Sequence, residues 1–194
     1  MSTSQTHAES QSKKSSGSSG TKARATSAAK RKTASGAHKA PASAPDAIEL
    51  LTQDHRDVEA MFKKYEEIKD KGDDDTKLEL AENICLALLV HTRIEEEIFY
   101  PAVKKPIDDE DIIDESLVEH QAAKDLIALI EDSDPDEELY DARVHVLSEE
   151  IDHHVKEEEE KMFPEVRKTK LDLKALGQKL AQRKQELMEE LAGA

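Results

Sequence analysis

The chain has 194 residues, a formal net charge of −16 and only 3% aromatic residues. That length fits one ordinary domain plus a tail, and no apolar run reaches the roughly 18 residues of a membrane span. A single cysteine, Cys85, excludes an intramolecular disulfide framework; with no apolar signal core either, the expected setting is reducing and cytoplasmic.

Residues 1–45 hold eight Lys or Arg and one acid, Glu9, so they carry about +7 and the remainder −16 − 7 = −23. This segment is rich in Ser, Ala and Lys and has no large apolar residue beyond Met1. It cannot bury enough surface to offset its ordering entropy, which predicts a disordered tail. Such a tail can solubilise, serve as an organelle transit peptide, or contact polyanions or nucleic acid weakly. No aromatics interleave its lysines, so a specific nucleic-acid site is not expected.

From Asp46 onward the pattern is helical. Asp46 with Glu49 three residues later reads as a helix start with a capping box. Ile48, Leu51, Val58, Phe62 and Tyr65 then recur at helical spacing once position 55 is included. "DKGDDD" (Asp70–Asp75) is a turn. A second helix carries Leu78, Ala81, Ile84, Cys85 and Leu88 and is expected to end between Pro101 and Pro106. A third spans about Asp109 to Glu131, with Ile113, Leu117, Ile127 and Ile130. After "DSDPDEE", a fourth runs from about Glu137 to Phe163, with Tyr140, Val144, Leu147, Ile151 and Met162. Thr169 with Asp172 marks another start, followed by a stripe of Leu173, Leu176, Leu180, Leu187 and Leu191. That fifth helix packs on the bundle or, alternatively, forms a homodimer.

Short connections between long amphipathic helices favour antiparallel neighbours. The expected architecture is all-α: an up-down-up-down four-helix bundle over residues 46–166, an amphipathic helix over 167–194, and the tail over 1–45.

Each bundle helix carries one histidine on its apolar stripe: His55, His91, His120 and His154. Glu95 and Glu158 follow His91 and His154 by four, hence on the same faces. "HTRIEEEIFYPAV" and "HVKEEEEKMFPEV" are nearly one phrase, 63 residues apart; "DH" at Asp54–His55 and "EH" at Glu119–His120 precede them by 36 and 34 residues. The domain is one helical hairpin written twice. At ~1.5 Å per residue His55 and His91 lie at nearly the same depth, while His120 and His154 are offset by roughly one helical turn.

Buried ionised carboxylates cost several kcal/mol each when unpaired, on the order known for buried charges. Two of them inside an apolar bundle call for cations. Six imidazole and carboxylate ligands shared by two metals, with open positions, fit iron; manganese and zinc share that ligand chemistry. Glu96 and Glu159 are the neighbours best placed to give outer or extra contacts. Glu97, Glu157 and Glu160 read as a solvated face, His153 as a boundary residue and His145 as surface. Two rival sites fail on the letters. Glu-x-x-His occurs as Glu150–His153 without a second copy beside the other histidines, and His-Glu-x-x-His is absent.

These phrases, with "QDHRDVEAMF" and "EHQAAKDLI", resemble the hemerythrin-like, or HHE cation-binding, domains over about Asp46 to Val166. The resemblance implies a bundle around a non-haem di-iron centre. His55, His91, His120 and His154 would be terminal ligands, and Glu95 and Glu158 bridging carboxylates. Oxygen-carrying members use a fifth histidine, and Lys124 stands at that position. A protonated lysine cannot ligate, so a coordination position stays open, with Lys124 near a substrate or covering the bundle outside. Three readings follow: a module that binds or senses oxygen, nitric oxide or iron; an enzyme that decomposes peroxide or oxidises with iron; or an interaction module with a structural metal.

Overall fold

The computed structural model describes residues 44–192, apart from residues 108 and 110. The expected tail therefore lies, up to residue 43, outside the described residues. Among the described residues the chain is helical with no strand: α1 (Ala47–Ile68), α2 (Asp74–Ile94), a π-helical segment π1 (Glu95–Phe99), α3 (Tyr100–Val103), α4 (Asp111–Glu131), α5 (Tyr140–Glu157), a second π segment π2 (Glu158–Met162), α6 (Phe163–Lys168) and α7 (Leu173–Ala192).

Local chemistry sets the helix starts. The Asp46 carboxylate accepts from the Glu49 amide while the Glu49 carboxylate accepts from the Asp46 amide, both at 2.9 Å, which completes the capping box. Asp73 caps α2 by accepting from the Thr76 amide at 2.8 Å. The last helix begins later than the sequence suggested. Asp172 accepts from the Ala175 amide at 3.0 Å, whereas the Thr169 amide donates back to Val166 and ends α6.

Helices α1, α2, α4 and α5 form the bundle, in contact as α1–α2, α2–α4, α4–α5 and α1–α5. Tight turns at both hairpin ends make their helices antiparallel. At the turn end, buried Lys77 donates to the Pro135 carbonyl at 3.1 Å and pairs with Asp141, which also accepts from the Tyr65 hydroxyl at 2.6 Å. Two apolar clusters fill the bundle. One holds Leu51, Ile94, Phe99, Ile113, Met162 and Phe163; the other holds Val58, Ile84, Leu88, Ile127, Leu147 and Ile151. On every bundle helix the histidine falls between the two clusters, so the imidazoles form a polar slab across the core.

Helix α7 packs on α1, α2 and π1. Leu180 and Leu187 are fully buried, each contributing about 1.5–3 kcal/mol by leaving water. Gly177 permits this docking. A Cβ there would sit 2.6 Å from the Pro45 carbonyl oxygen and 2.8 Å from the Ala47 nitrogen, so two backbones touch where no side chain fits. The stripe is looser than its spacing implied at one bundle position: Leu117 is 40% exposed, because α4 turns that side outward.

Candidate metal centre

Two prolines shape the helices that carry the glutamates. Pro101 and Pro164 stand in the first turn of α3 and α6, directly after the π segments. Proline has no amide hydrogen, and its ring clashes with the carbonyl four residues back. A single π turn relieves this: the Tyr100 amide bonds to the Glu95 carbonyl, and the Phe163 amide to the Glu158 carbonyl. The second helix thus ends at Val103, between Pro101 and Pro106 as expected, with one widened turn inside it; the fourth carries the same turn and continues past Phe163 to Lys168. Glu95 and Glu158 each open one of these wide turns, which aims them into the slab.

All six predicted residues meet there, every one 5% exposed or less. The Nε2 atoms of His55 and His91 lie 3.2 Å apart, and those of His120 and His154 3.1 Å apart. The one-turn offset expected for the second pair is absent. Each glutamate touches both pairs. Glu95 Oε2 is 3.2 Å from His91 Nε2 and 3.4 Å from His120 Nε2. Glu158 Oε2 is 3.2 Å from His55 Nε2 and 3.7 Å from His154 Nε2.

The outer nitrogens are held by a second ring of carboxylates. His55 Nδ1 donates to Glu159 at 2.9 Å, His120 Nδ1 to Glu96 at 2.9 Å and His154 Nδ1 to Glu119 at 2.8 Å. His91 Nδ1 faces Asp54 at 3.6 Å. An ionised carboxylate only accepts, so the bonded Nδ1 atoms each carry a proton and the Nε2 atoms turn inward. Lys124 bonds to Glu96, and Arg56 to Glu159. The structure thus places Lys124 on an outer carboxylate, part-exposed, rather than among the inward-facing atoms. His153 and His145 are exposed.

Sequence reading missed Tyr100, Asp54 and Glu119. The buried Tyr100 hydroxyl donates to Glu158 Oε1 at 3.0 Å and lies 3.2 Å from His120 Nε2. Its counterpart 63 residues on is Phe163, which stacks on His55 as Tyr100 stacks on His120. The signal was the mismatch of Tyr and Phe between the two copies. For Asp54 and Glu119 it was the acid preceding each histidine, which on a helix points not at that histidine but at the neighbouring helix's.

This donor set fits cations. Within the second pair both Nδ1 atoms are taken up by outer carboxylates, so the two Nε2 atoms, 3.1 Å apart, are the ones left facing the slab. Both oxygens of Glu95 and Oε2 of Glu158 are buried without a hydrogen-bond partner. Such orphaned groups cost about 1–3 kcal/mol each, more when charged. Burial, and then the neighbouring Glu158, push the Glu95 carboxyl well above its usual range. Burial drives the His91 imidazole down to about 4. At His55 burial opposes charge, but Glu158, Glu95 and Glu159 outweigh it and raise the pKa to about 9. In the chain alone, protons must neutralise a site whose geometry suits metal. His55, His91, Glu95 and Glu158 form one group of ligand atoms; Glu95, His120 and His154 form another.

A surface cavity of about 310 Å³ between α1 and α5 reaches His55 and is lined by Arg56, Phe62, Ile151, Lys156 and Glu159. No described helix is long and apolar enough to cross a membrane.

The family model "Hemerythrin HHE cation binding domain" matches residues 46–166. A solved structure of a hemerythrin HHE cation-binding domain-containing protein from Mycobacterium kansasii, the Rv2633c homolog, superimposes with a TM-score of 0.63 at 23% identity, over 75% of this chain and 89% of that one. At that identity the likeness shows the fold. No curated protein matches the chain.

Proposed function

The chain belongs to the hemerythrin HHE cation-binding domain family, and from that premise we propose that it is a non-haem di-iron protein that binds or senses oxygen, nitric oxide or iron. The observation that carries this reading is the pair of opposed imidazole couples spanned by two buried, unpartnered carboxylates. His55 and His91 would hold one ion, His120 and His154 the other, and Glu95 and Glu158 would touch both. Nitrogen–oxygen ligation of this kind suits iron, and bound iron would supply the electrons for uptake of a diatomic ligand or peroxide.

The chain's own residues do the rest. The outer carboxylates fix the tautomers and orient the rings. Phe99, Phe163 and Met162 keep one side of the slab dry. The cavity brings solvent up to the outer, Glu159-bonded side of His55, where a small solute would approach the imidazole layer. The Tyr100 hydroxyl is a proton donor already aimed at the centre.

A second reading, peroxide decomposition, draws on Tyr100 and Lys124 together. One supplies a proton donor beside His120; the other leaves a position without a fifth imidazole. The test is anaerobic iron(II) loading followed by exposure to oxygen, nitric oxide and peroxide. Two irons per chain, with visible bands that respond to the added ligand, are expected. Sustained oxygen release from peroxide selects the enzyme. A metal-free, colourless, fully helical protein overturns both readings. Iron whose spectrum ignores all three ligands leaves a structural metal.

A further inference from the structure

The two halves of the centre are related by an approximate twofold repeat, and besides the Tyr100–Phe163 difference they diverge at one histidine–carboxylate contact. Three histidines donate to their outer carboxylates at 2.8–2.9 Å. The fourth pair, His91 Nδ1 and Asp54 Oδ2, stands 3.6 Å apart, and both atoms are buried without a hydrogen-bond partner. Asp54 is instead bonded through Oδ1 to Lys184 of α7.

Resting on the two-cation reading, we infer that Lys184 is a positioning residue. It draws Asp54 away from His91, leaves His91 the weakest imidazole donor, and so makes the ion at the His55–His91 pocket the more labile one. A cation on an outer carboxylate does not by itself break the bond to histidine. Glu96 serves both Lys124 and His120, and Glu159 both Arg56 and His55. Asp54 is one methylene shorter than those glutamates, so its carboxylate reaches less far from its helix, and while bonded to Lys184 its Oδ2 stops 3.6 Å from His91. Which partner wins is settled by where Lys184 is fixed. Gly177 seats α7 against the start of α1, and Leu180 and Leu187 bury it. Glu119, the counterpart of Asp54, has no lysine hydrogen-bonded to it among the described residues, and its other oxygen stands 3.5 Å from the exposed His153. It is free to bond His154. A carboxylate on the far ring nitrogen strengthens a histidine ligand, and its loss lowers metal affinity by about 10–100-fold.

The experiment loads the full chain with iron(II) anaerobically and follows removal by a chromogenic iron(II) chelator. Wild type is expected to release one iron quickly and one slowly. Lys184→Gln frees Asp54 for His91 and slows the fast phase by about tenfold, leaving the slow phase as it was. Arg183→Gln is the structural control. It removes the α7 ion pair with Glu97 at 2.7 Å and lowers Tm, yet leaves both release phases unchanged. In an Asp54→Asn background Lys184→Gln has no effect, because the lysine acts through that carboxylate. Single-phase release by wild type overturns the inference. So does a Lys184→Gln variant with an unchanged or faster phase, or an effect that persists without Asp54. Binding fewer than two irons overturns the two-cation reading itself, a separate outcome read from metal content before chelator is added.

Discussion

Glu95 and Tyr100 enter the centre differently, one as a buried carboxylate and the other as a hydroxyl that donates to Glu158. Glu95 is fully buried and touches a histidine of each pair. Glu95→Ala is therefore expected to lower metal content from two ions to one or none, measured by elemental analysis; full occupancy would remove it from the ligand set. Tyr100→Phe keeps every metal-facing nitrogen and carboxylate and should retain both ions. Losing one hydrogen bond of about 1.4 kcal/mol corresponds to a roughly tenfold slower response to peroxide in stopped-flow absorbance; an unchanged rate would make the hydroxyl a packing group. Cys85 supplies an internal clock for unfolding. Burial pushes its thiol from 9.0 up to about 12. At pH 8 its thiolate fraction is about one in ten thousand when folded and about one in ten when unfolded, by those same values. Alkylation at pH 8 should be slow and accelerate sharply across the unfolding transition. Fast labelling of the native chain would mean that the second apolar cluster opens.

Elements explain what single residues could not. The six inward residues were legible because each helix must bury one stripe, and a histidine on that stripe has nowhere else to go. The π segments were not legible as such. Pro101 and Pro164 signalled a break, but a proline can equally end a helix, and only packing of α3 and α6 against the core makes the chain continue through a widened turn. Asp54 and Glu119 were visible as "DH" and "EH", yet their targets lie on the neighbouring helices, a relation that local spacing cannot express. Helix α7 shows the same limit: the leucine stripe announced a buried face but not its partner. Gly177 identifies the contact. Gly177→Ala would gain up to about 1 kcal/mol of helix propensity on an open helix. Here the methyl meets backbone at 2.6–2.8 Å, and the net effect expected is a loss of about 1–3 kcal/mol in denaturant unfolding. A stabilised variant would show that α7 sits further from α1.

Across the whole molecule, two apolar clusters clamp a slab holding two carboxylates and four imidazoles. Such a slab weakens the fold unless its charge is neutralised, so metal binding and folding are coupled. Iron(II) at one hundred times its dissociation constant should stabilise the native chain by about 2.7 kcal/mol per ion and raise Tm; a Tm indifferent to metal would place binding away from the slab. The sequence by itself determined the helical class, the doubled hairpin and the six inward residues, because helical periodicity links spacing directly to facing. Tertiary structure alone decided the partners of the outer carboxylates, the placing of Tyr100 against Glu158 and the bond from Lys184 to Asp54. Those contacts join positions 20 to 130 residues apart, and only the packing of helix on helix brings such distant side chains within a few ångströms.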